Sequence, residues 1–166
     1  MSIDERLPRR ARAARIEAVG DDTVTRRQID NLTLAAAFFA ARGCEFVVVG
    51  GCALRLHGCD HVPGDLDVVP EPSPANVRRL LDAVASLGSV GRARRPSDHA
   101  LTTYDTVTRR TPVGAVDVML ATGRNEFAAL DRAATAISVR GHEVRVAAIE
   151  DVLRLRAHFG KPPVHV

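Results

Sequence analysis

Lysine is almost missing from this chain: of 23 basic residues only Lys161 is lysine, and the other 22 are arginine. Arginine presents a planar fork of donors suited to phosphate, but a general bias towards Arg and Ala codons explains the skew equally well. With a formal net charge of +3, charge alone does not mark a nucleic-acid binder. Cysteine is scarce and odd in number, at Cys44, Cys52 and Cys59, with no CxxC spacing and no matching histidine pair. That excludes a disulfide framework and a structural zinc site, and a reducing cytoplasm is the expected setting. Long apolar runs are absent too. The longest, Leu34 to Ala41, falls far short of the roughly 20 residues a membrane span needs. The charged N-terminus has no apolar segment of the kind a secretory leader carries. There is no internal repeat and no low-complexity tract.

What is present fits a soluble globular chain. Hydrophobic residues make up 46% and charged residues 26% of 166 positions, close to the average for such proteins. A chain of this length buries about two thirds of its unfolded surface, so one core is expected, in a single domain spanning residues 23–166. Ahead of it, residues 1–22 hold Arg6, Arg9, Arg10, Arg12 and Arg15, balanced by Asp4, Glu5, Glu17, Asp21 and Asp22. This reads as an exposed arm, with contact to phosphate as the sharper alternative.

Thr25 and Gln28 form a capping-box pattern, and Ile29, Leu32, Ala36 and Phe39 recur at helical spacing until Gly43. Phe46 to Val49 reads as a short buried strand ending at Gly50-Gly51, with a short helix over about Cys52 to His57. Gly58 to Gly64 is loop by composition. Asp65 to Val69 returns to a strand that Pro70 and Pro72 end. Ser73-Pro74 is an N-cap with proline at the first helical position, and Val77, Leu80, Leu81, Val84 and Leu87 give that helix a buried stripe. Gly91 to Asp98 is a basic loop with Arg92, Arg94 and Arg95. Leu101 to Arg110 and Ala115 to Leu120 read as a hairpin turning at Thr111 to Gly114. A helix over Asn125 to Ala133, a hairpin of Ala136 to Arg140 with Glu143 to Ala147, and a helix over Ile149 to His158 complete the chain.

The chemistry is concentrated in Phe46 to Val69. Residues i and i+2 of a strand face the same way, so Asp65 and Asp67 project together while Leu66 and Val68 point into the core. Asp117, between Val116 and Val118, repeats the pattern, and pairing of its strand beside Asp65 to Val69 would bring three carboxylates together. Unit charges about 4 Å apart at an effective dielectric near 20 repel by roughly 4 kcal/mol, so such a trio needs protons or a cation. Hard, oxygen-preferring divalent ions answer that need, Mg²⁺ above all, with Mn²⁺ as a substitute. A pair of ions about 3.5–4 Å apart stabilises both the attacking and the leaving oxygen of an in-line phosphoryl displacement. Gly50-Gly51, between a strand and a helix N-terminus, lets backbone N–H groups hold phosphate oxygens.

The order strand, Gly50-Gly51, thirteen residues, Asp65-Leu66-Asp67-Val68, helix, and a distal Val116-Asp117-Val118 resembles the DNA polymerase β-like nucleotidyltransferase superfamily. It looks particularly like the bacterial AbiEii-type and MenT-like toxin nucleotidyltransferases. The resemblance runs from about Phe46 to Lys161. It takes in Ala53 to Gly58, the Thr111-to-Asp117 hairpin, and Ile149 to Arg156 followed by Gly160-Lys161-Pro162. It implies an α+β fold with a mixed sheet of about four to six strands flanked by helices. It further implies Asp65 and Asp67 as ligands of both metal ions and the nucleotide, and Asp117 as ligand of the catalytic ion and acceptor of the hydroxyl proton. Gly50 and Gly51 fall at the β and γ phosphates. Arg55, His61 and Arg156 complete the expected nucleotide site, although packing or exposed positions account for these three as well.

The implied reaction transfers a nucleoside monophosphate from NTP to a hydroxyl. RNA, in particular the tRNA 3′ end, is the leading acceptor, with a partner protein or a small molecule next, and a cognate antitoxin is the expected protein partner. Relatives commonly carry an Arg-x-Thr-x-Asp-x-Asp string, whereas this chain has His61-Val62-Pro63-Gly64 before Asp65. A catalytically idle relative that binds a nucleotide or a partner is therefore the competing reading. His57 is read as a packing or loop histidine, and Cys52 as a small buried packing residue.

Overall fold

A computed structural model describes residues 23–91 and 94–166, with side chains described from Asn31 onward in the first helix. The proposed arm of residues 1–22 and Arg92 lie outside the described residues, and the side chains of Thr25, Gln28 and Ile29 are not described; the backbone is already helical from Thr23, so Thr25 lies inside the first helix and not at its cap. Among the described residues twelve elements follow in order. They are α1 (Thr23–Ala41), β1 (Phe46–Val49), α2 (Gly50–Leu56), β2 (Asp65–Pro70), α3 (Pro74–Ser86), α4 (Asp98–Thr103), β3 (Thr106–Thr111), β4 (Gly114–Met119), α5 (Leu120–Ala133), β5 (Thr135–Val139), β6 (His142–Val146) and α6 (Ile149–His158). The class is α+β: one mixed six-stranded sheet, ordered β3-β4-β2-β1-β6-β5, with helices packed on it.

β1 sits at the centre because all four of its residues are apolar and buried. It pairs antiparallel with β2, Val49 opposite Asp67, and parallel with β6. β2 in turn pairs parallel with β4, which places Leu66 beside Val116, Asp67 beside Asp117 and Val68 beside Val118. Leu66, Val68, Val116 and Val118 are all at most 1% exposed. The apolar members of both strands are therefore driven to one face, and the period of two leaves the aspartates on the other. α5 lies close on β2: a Cβ at Gly123 would stand only 2.6 Å from the Pro70 carbonyl oxygen. Asn76 of α3 ties the strand ends together, donating to Glu45 O and Glu71 O and accepting from Glu45 N at 2.8, 2.9 and 2.8 Å.

Local signals were honoured where they were unopposed. Ser73 caps α3 by accepting from Asn76 N, with Pro74 in the first turn. Thr111 stabilises the β3–β4 turn by donating to Gly114 O at 2.8 Å and accepting from Val113 N at 3.2 Å. Most strand limits differ from the sequence expectation by one residue, and three further boundaries differ by two or more. The strand expected from Leu101 begins only at Thr106, because Ser97 accepts from Ala100 N at 3.1 Å and starts the short α4. The Thr102 and Thr103 hydroxyls, read as a β signal, both donate to His99 O within that helix. α2 starts at Gly50 itself rather than after the glycine pair, and α5 starts at Leu120 and runs through Gly123 instead of beginning at Asn125. No helix of the described residues is long and apolar enough to cross a membrane.

Candidate functional site

The sheet register assembles the site. Asp65 and Asp67 share a face of β2 by alternation, and the parallel pairing of β4 sets Asp117 directly beside Asp67. One carboxylate oxygen from each residue lies within 4.8 Å of the others. The three occupy the floor of an open cavity of about 530 Å³ bordered by Gly50, Gly51, His61, Arg156, Phe159 and Lys161, among others. That volume falls in the usual range of small-molecule sites.

The electrostatics match the geometry. Burial, then the charges of Asp65 and Asp117, push the Asp67 carboxyl up to about 7. Asp65 is raised as well, by burial first and Asp117 second, while Lys161 pulls both back down. Without a counter-ion the cluster resists full ionisation at neutral pH, which is the behaviour of a site that takes up either a proton or a cation. An all-carboxylate donor set on a sheet face fits a hard divalent ion. The Thr108 hydroxyl, across the β3–β4 pair, donates to Asp117 Oδ1 at 2.5 Å and fixes the orientation of that carboxylate.

The glycines belong to the same surface. Gly50 has a φ of +66°, and a Cβ there would collide with the Asp67 carboxylate, so only glycine permits β1 to turn into α2 at this point. At Gly51 an added Cβ would lie 2.9 Å from His61 Nε2, so the imidazole rests on the open backbone. No side chain caps the start of α2, whose N-cap position is Val49. The first N–H groups of that helix are thus left available at the cavity wall. Burial and the neighbouring Arg156 lower the pKa of His61, which favours the neutral ring.

Other expected positions fall differently. Arg156 borders the cavity and donates from Nε to Pro162 O at 2.8 Å, holding the C-terminal segment against α6. Arg55 does not face the cavity: it is 8% exposed, and its guanidinium lies 3.5 Å from both Cys59 O and Asp60 Oδ1. Its position on α2 turns it inward against the loop that leads to β2, so neither a nucleotide contact nor an exposed helix position describes it. His57 donates from Nε2 to Ala147 O at 2.7 Å and serves packing between α2 and the β6 end. Cys52 is buried and donates to Asp65 O at 3.2 Å. Burial and the two nearby aspartates raise its thiol pKa well above the usual range.

Sequence reasoning passed over four contributors. Lys161, the lone lysine, stands beside the carboxylates, and its rarity was the available signal. Phe159, 51% exposed, and Met119 supply apolar wall to the cavity. Thr108 had no sequence signal, because its role exists only through the register of β3 on β4.

No protein-family model matches the chain, and no curated protein sequence matches it. Among solved structures, a candidate nucleotidyltransferase from Helicobacter pylori is similar at 15% identity and a TM-score of 0.44, over 78% of this chain and 57% of that one. JHP933 from Helicobacter pylori is similar at 14% identity and a TM-score of 0.45, over 82% and 57%. The chain thus spans little more than half the length of either. Likenesses of this extent leave the chemistry to be argued from the site's own residues.

Proposed function

We propose that this chain is a metal-dependent nucleotidyltransferase that moves a nucleoside monophosphate from NTP to an acceptor hydroxyl. The observation that carries the reading is the convergence of Asp65, Asp67 and Asp117 on two adjacent parallel strands, beside a helix start that only Gly50 can make. The order of these elements along the chain, with its resemblance to the polymerase β-like superfamily and its AbiEii/MenT-like toxin branch, supports the same reading.

Asp65 and Asp67 would hold both Mg²⁺ ions of a two-ion site, and Asp117 one of them. When bound, the ions offset the charge of the carboxylates and of the triphosphate and stabilise the oxygens that gain charge. The N–H groups of Gly50 and Gly51 hold the β and γ phosphates, with Lys161 and Arg156 adding positive charge at the mouth. Neutral His61 offers one further hydrogen bond to the nucleotide. Asp117, steered by Thr108, takes the proton of the acceptor hydroxyl as its oxygen bonds to the α-phosphorus. The bond from that phosphorus to the bridging oxygen breaks, and pyrophosphate leaves. Met119, Leu155 and Phe159 add apolar wall beside the carboxylates.

RNA, with the tRNA 3′ end foremost, is the acceptor this reading favours, in the setting of a toxin paired with an antitoxin. Incubation with each α-labelled NTP, Mg²⁺ or Mn²⁺, and total tRNA tests it. Label is expected in the RNA with at least one NTP, and to be lost in Asp67→Asn. Absence of transfer to tRNA or to any co-purifying protein, with every NTP, would overturn the enzymatic reading in favour of an idle nucleotide- or partner-binding relative.

A further inference from the structure

Beside the cavity lies a second, open groove of about 740 Å³ along β3, the edge strand of the sheet. Thr106 borders both spaces. The groove is lined by Arg94, Arg95, Arg109, Tyr104 and Thr108, among others, and among the described residues no acidic one lines it. Its charge is opposite to that of the carboxylate floor a few residues away. Arg94 takes part in no ion pair among the described residues, and Arg95 has one loose partner, Asp82, at 3.8 Å with both side chains well exposed. Arg109 spends its donors on main chain, giving to Thr108 O at 3.0 Å and Arg94 O at 2.9 Å. It thereby clamps the arginine loop onto β3 while its own charge has no acidic partner among the described residues. Tyr104, the single tyrosine, follows α4 and is 55% exposed.

We propose that this groove binds the acceptor as a single strand of nucleic acid, its terminal hydroxyl delivered past Thr106 and Thr108 to Asp117. The proposal rests on the nucleotidyltransferase reading for what happens at Asp117, but the groove's affinity for the strand stands independently of it. Exposed cationic side chains with at most one loose acidic partner can track a phosphate backbone. An exposed aromatic face among them is a stacking platform that any unpaired base can use and a paired base cannot. An acidic protein segment would meet the arginines but would have no use for the ring. The position of Thr108 explains how the two parts are joined. It lines the groove with one end of its environment and orients the Asp117 carboxylate with its hydroxyl.

Fluorescence anisotropy with a short, labelled single-stranded RNA reads the groove directly, without NTP or metal. Each phosphate neutralised contributes about −0.7 to the slope of log K against log salt, so three arginines predict a slope near −2. Tyr104→Ala is expected to weaken binding roughly 5- to 100-fold at constant slope. The pair Arg94→Gln with Arg95→Gln is expected to flatten the slope by about 1.4. These side chains are exposed, so the variants should fold, which circular dichroism would check. Asp67→Asn should bind RNA as well as the parent, so a failure of the carboxylate reading leaves this result untouched. If transfer is active, the groove variants should raise KM for the acceptor and leave KM for NTP unchanged. Equal affinity for a duplex of the same sequence or for polyglutamate, or no response to Tyr104→Ala, would overturn the proposal. The polyglutamate result would point instead to an acidic protein partner.

Discussion

Asp67→Asn should stabilise the metal-free protein while abolishing its chemistry. Burial and the two neighbouring aspartates hold the Asp67 carboxyl at about 7 in the folded chain, against an ordinary value near 3.8. A raised carboxyl pKa means the folded state binds a proton that the unfolded state has already released. Stability from this group is then full below about pH 4, falls between there and pH 7, and is flat above. A shift of about three units corresponds to about 4 kcal/mol. Burial is the largest cause, and the asparagine amide is still a polar group to bury, so about half, ~2 kcal/mol, is the share expected to be recovered by removing the charge. Asparagine keeps the shape that Gly50 requires of its neighbour, and its amide can donate to the remaining carboxylates. For a chain of this size each kcal/mol moves Tm by about 2–4 °C, so Tm should rise by about 4–8 °C at pH 8 in EDTA and by almost nothing at pH 4. Mg²⁺ should act in reverse. The parent gains about 2.7 kcal/mol when the ion is present at a hundred times its Kd, and the variant gains little. Scanning calorimetry at the two pH values, with and without Mg²⁺, checks both halves. A folded Asp67→Asn protein that is less stable than the parent at pH 8 in EDTA, or that keeps the full Mg²⁺ response, would refute the reasoning.

Gly50→Ala should have the opposite outcome, since a left-handed φ and a Cβ aimed at the Asp67 carboxylate together cost at least 1–3 kcal/mol; Tm should fall and transfer be lost, by thermal melting and assay. Lys161→Met removes the cation that lowers the Asp65 and Asp67 pKa values. KM for NTP should rise, and the metal-free protein should lose stability with pH more steeply than the parent in a pH series of melts. Asn76→Ala deletes three hydrogen bonds to the Glu45 and Glu71 backbone. A loss of about 2–4 kcal/mol in urea unfolding, with kcat of the surviving folded protein little changed, is expected because the latch lies away from the carboxylates.

Much of this was legible in the chain because local patterns faced no competition. Phe46 to Val49 has no polar residue, and it forms a strand with those limits; Ile149 to His158 is an amphipathic run with acids at its start and basic residues at its end, and it is a helix with those limits. Where two local codes overlapped, reading failed. Leu101 to Thr103 has strand composition, but a serine cap three residues before Ala100 made it helical. Gly50-Gly51 looks like a turn, yet an uncapped helix begins on it.

The alternation of Asp65-Leu66-Asp67-Val68 determined by itself that two carboxylates share a face, because a strand's period of two admits no other outcome once its apolar members are buried. Whether Asp117 joins them was not a property of either segment. It depended on β4 adding in parallel to β2 in the one register that sets Asp67 beside Asp117, and a slip of one residue would have sent Asp117 to the opposite face. The same is true of Arg55, which helix geometry turned inward against the loop before β2, and of Lys161, brought back to the carboxylates only by the path of the chain after α6. Side-chain alternation is local and survives any fold, whereas register and chain return are set by the packing of distant apolar surfaces, and only the tertiary structure decides them.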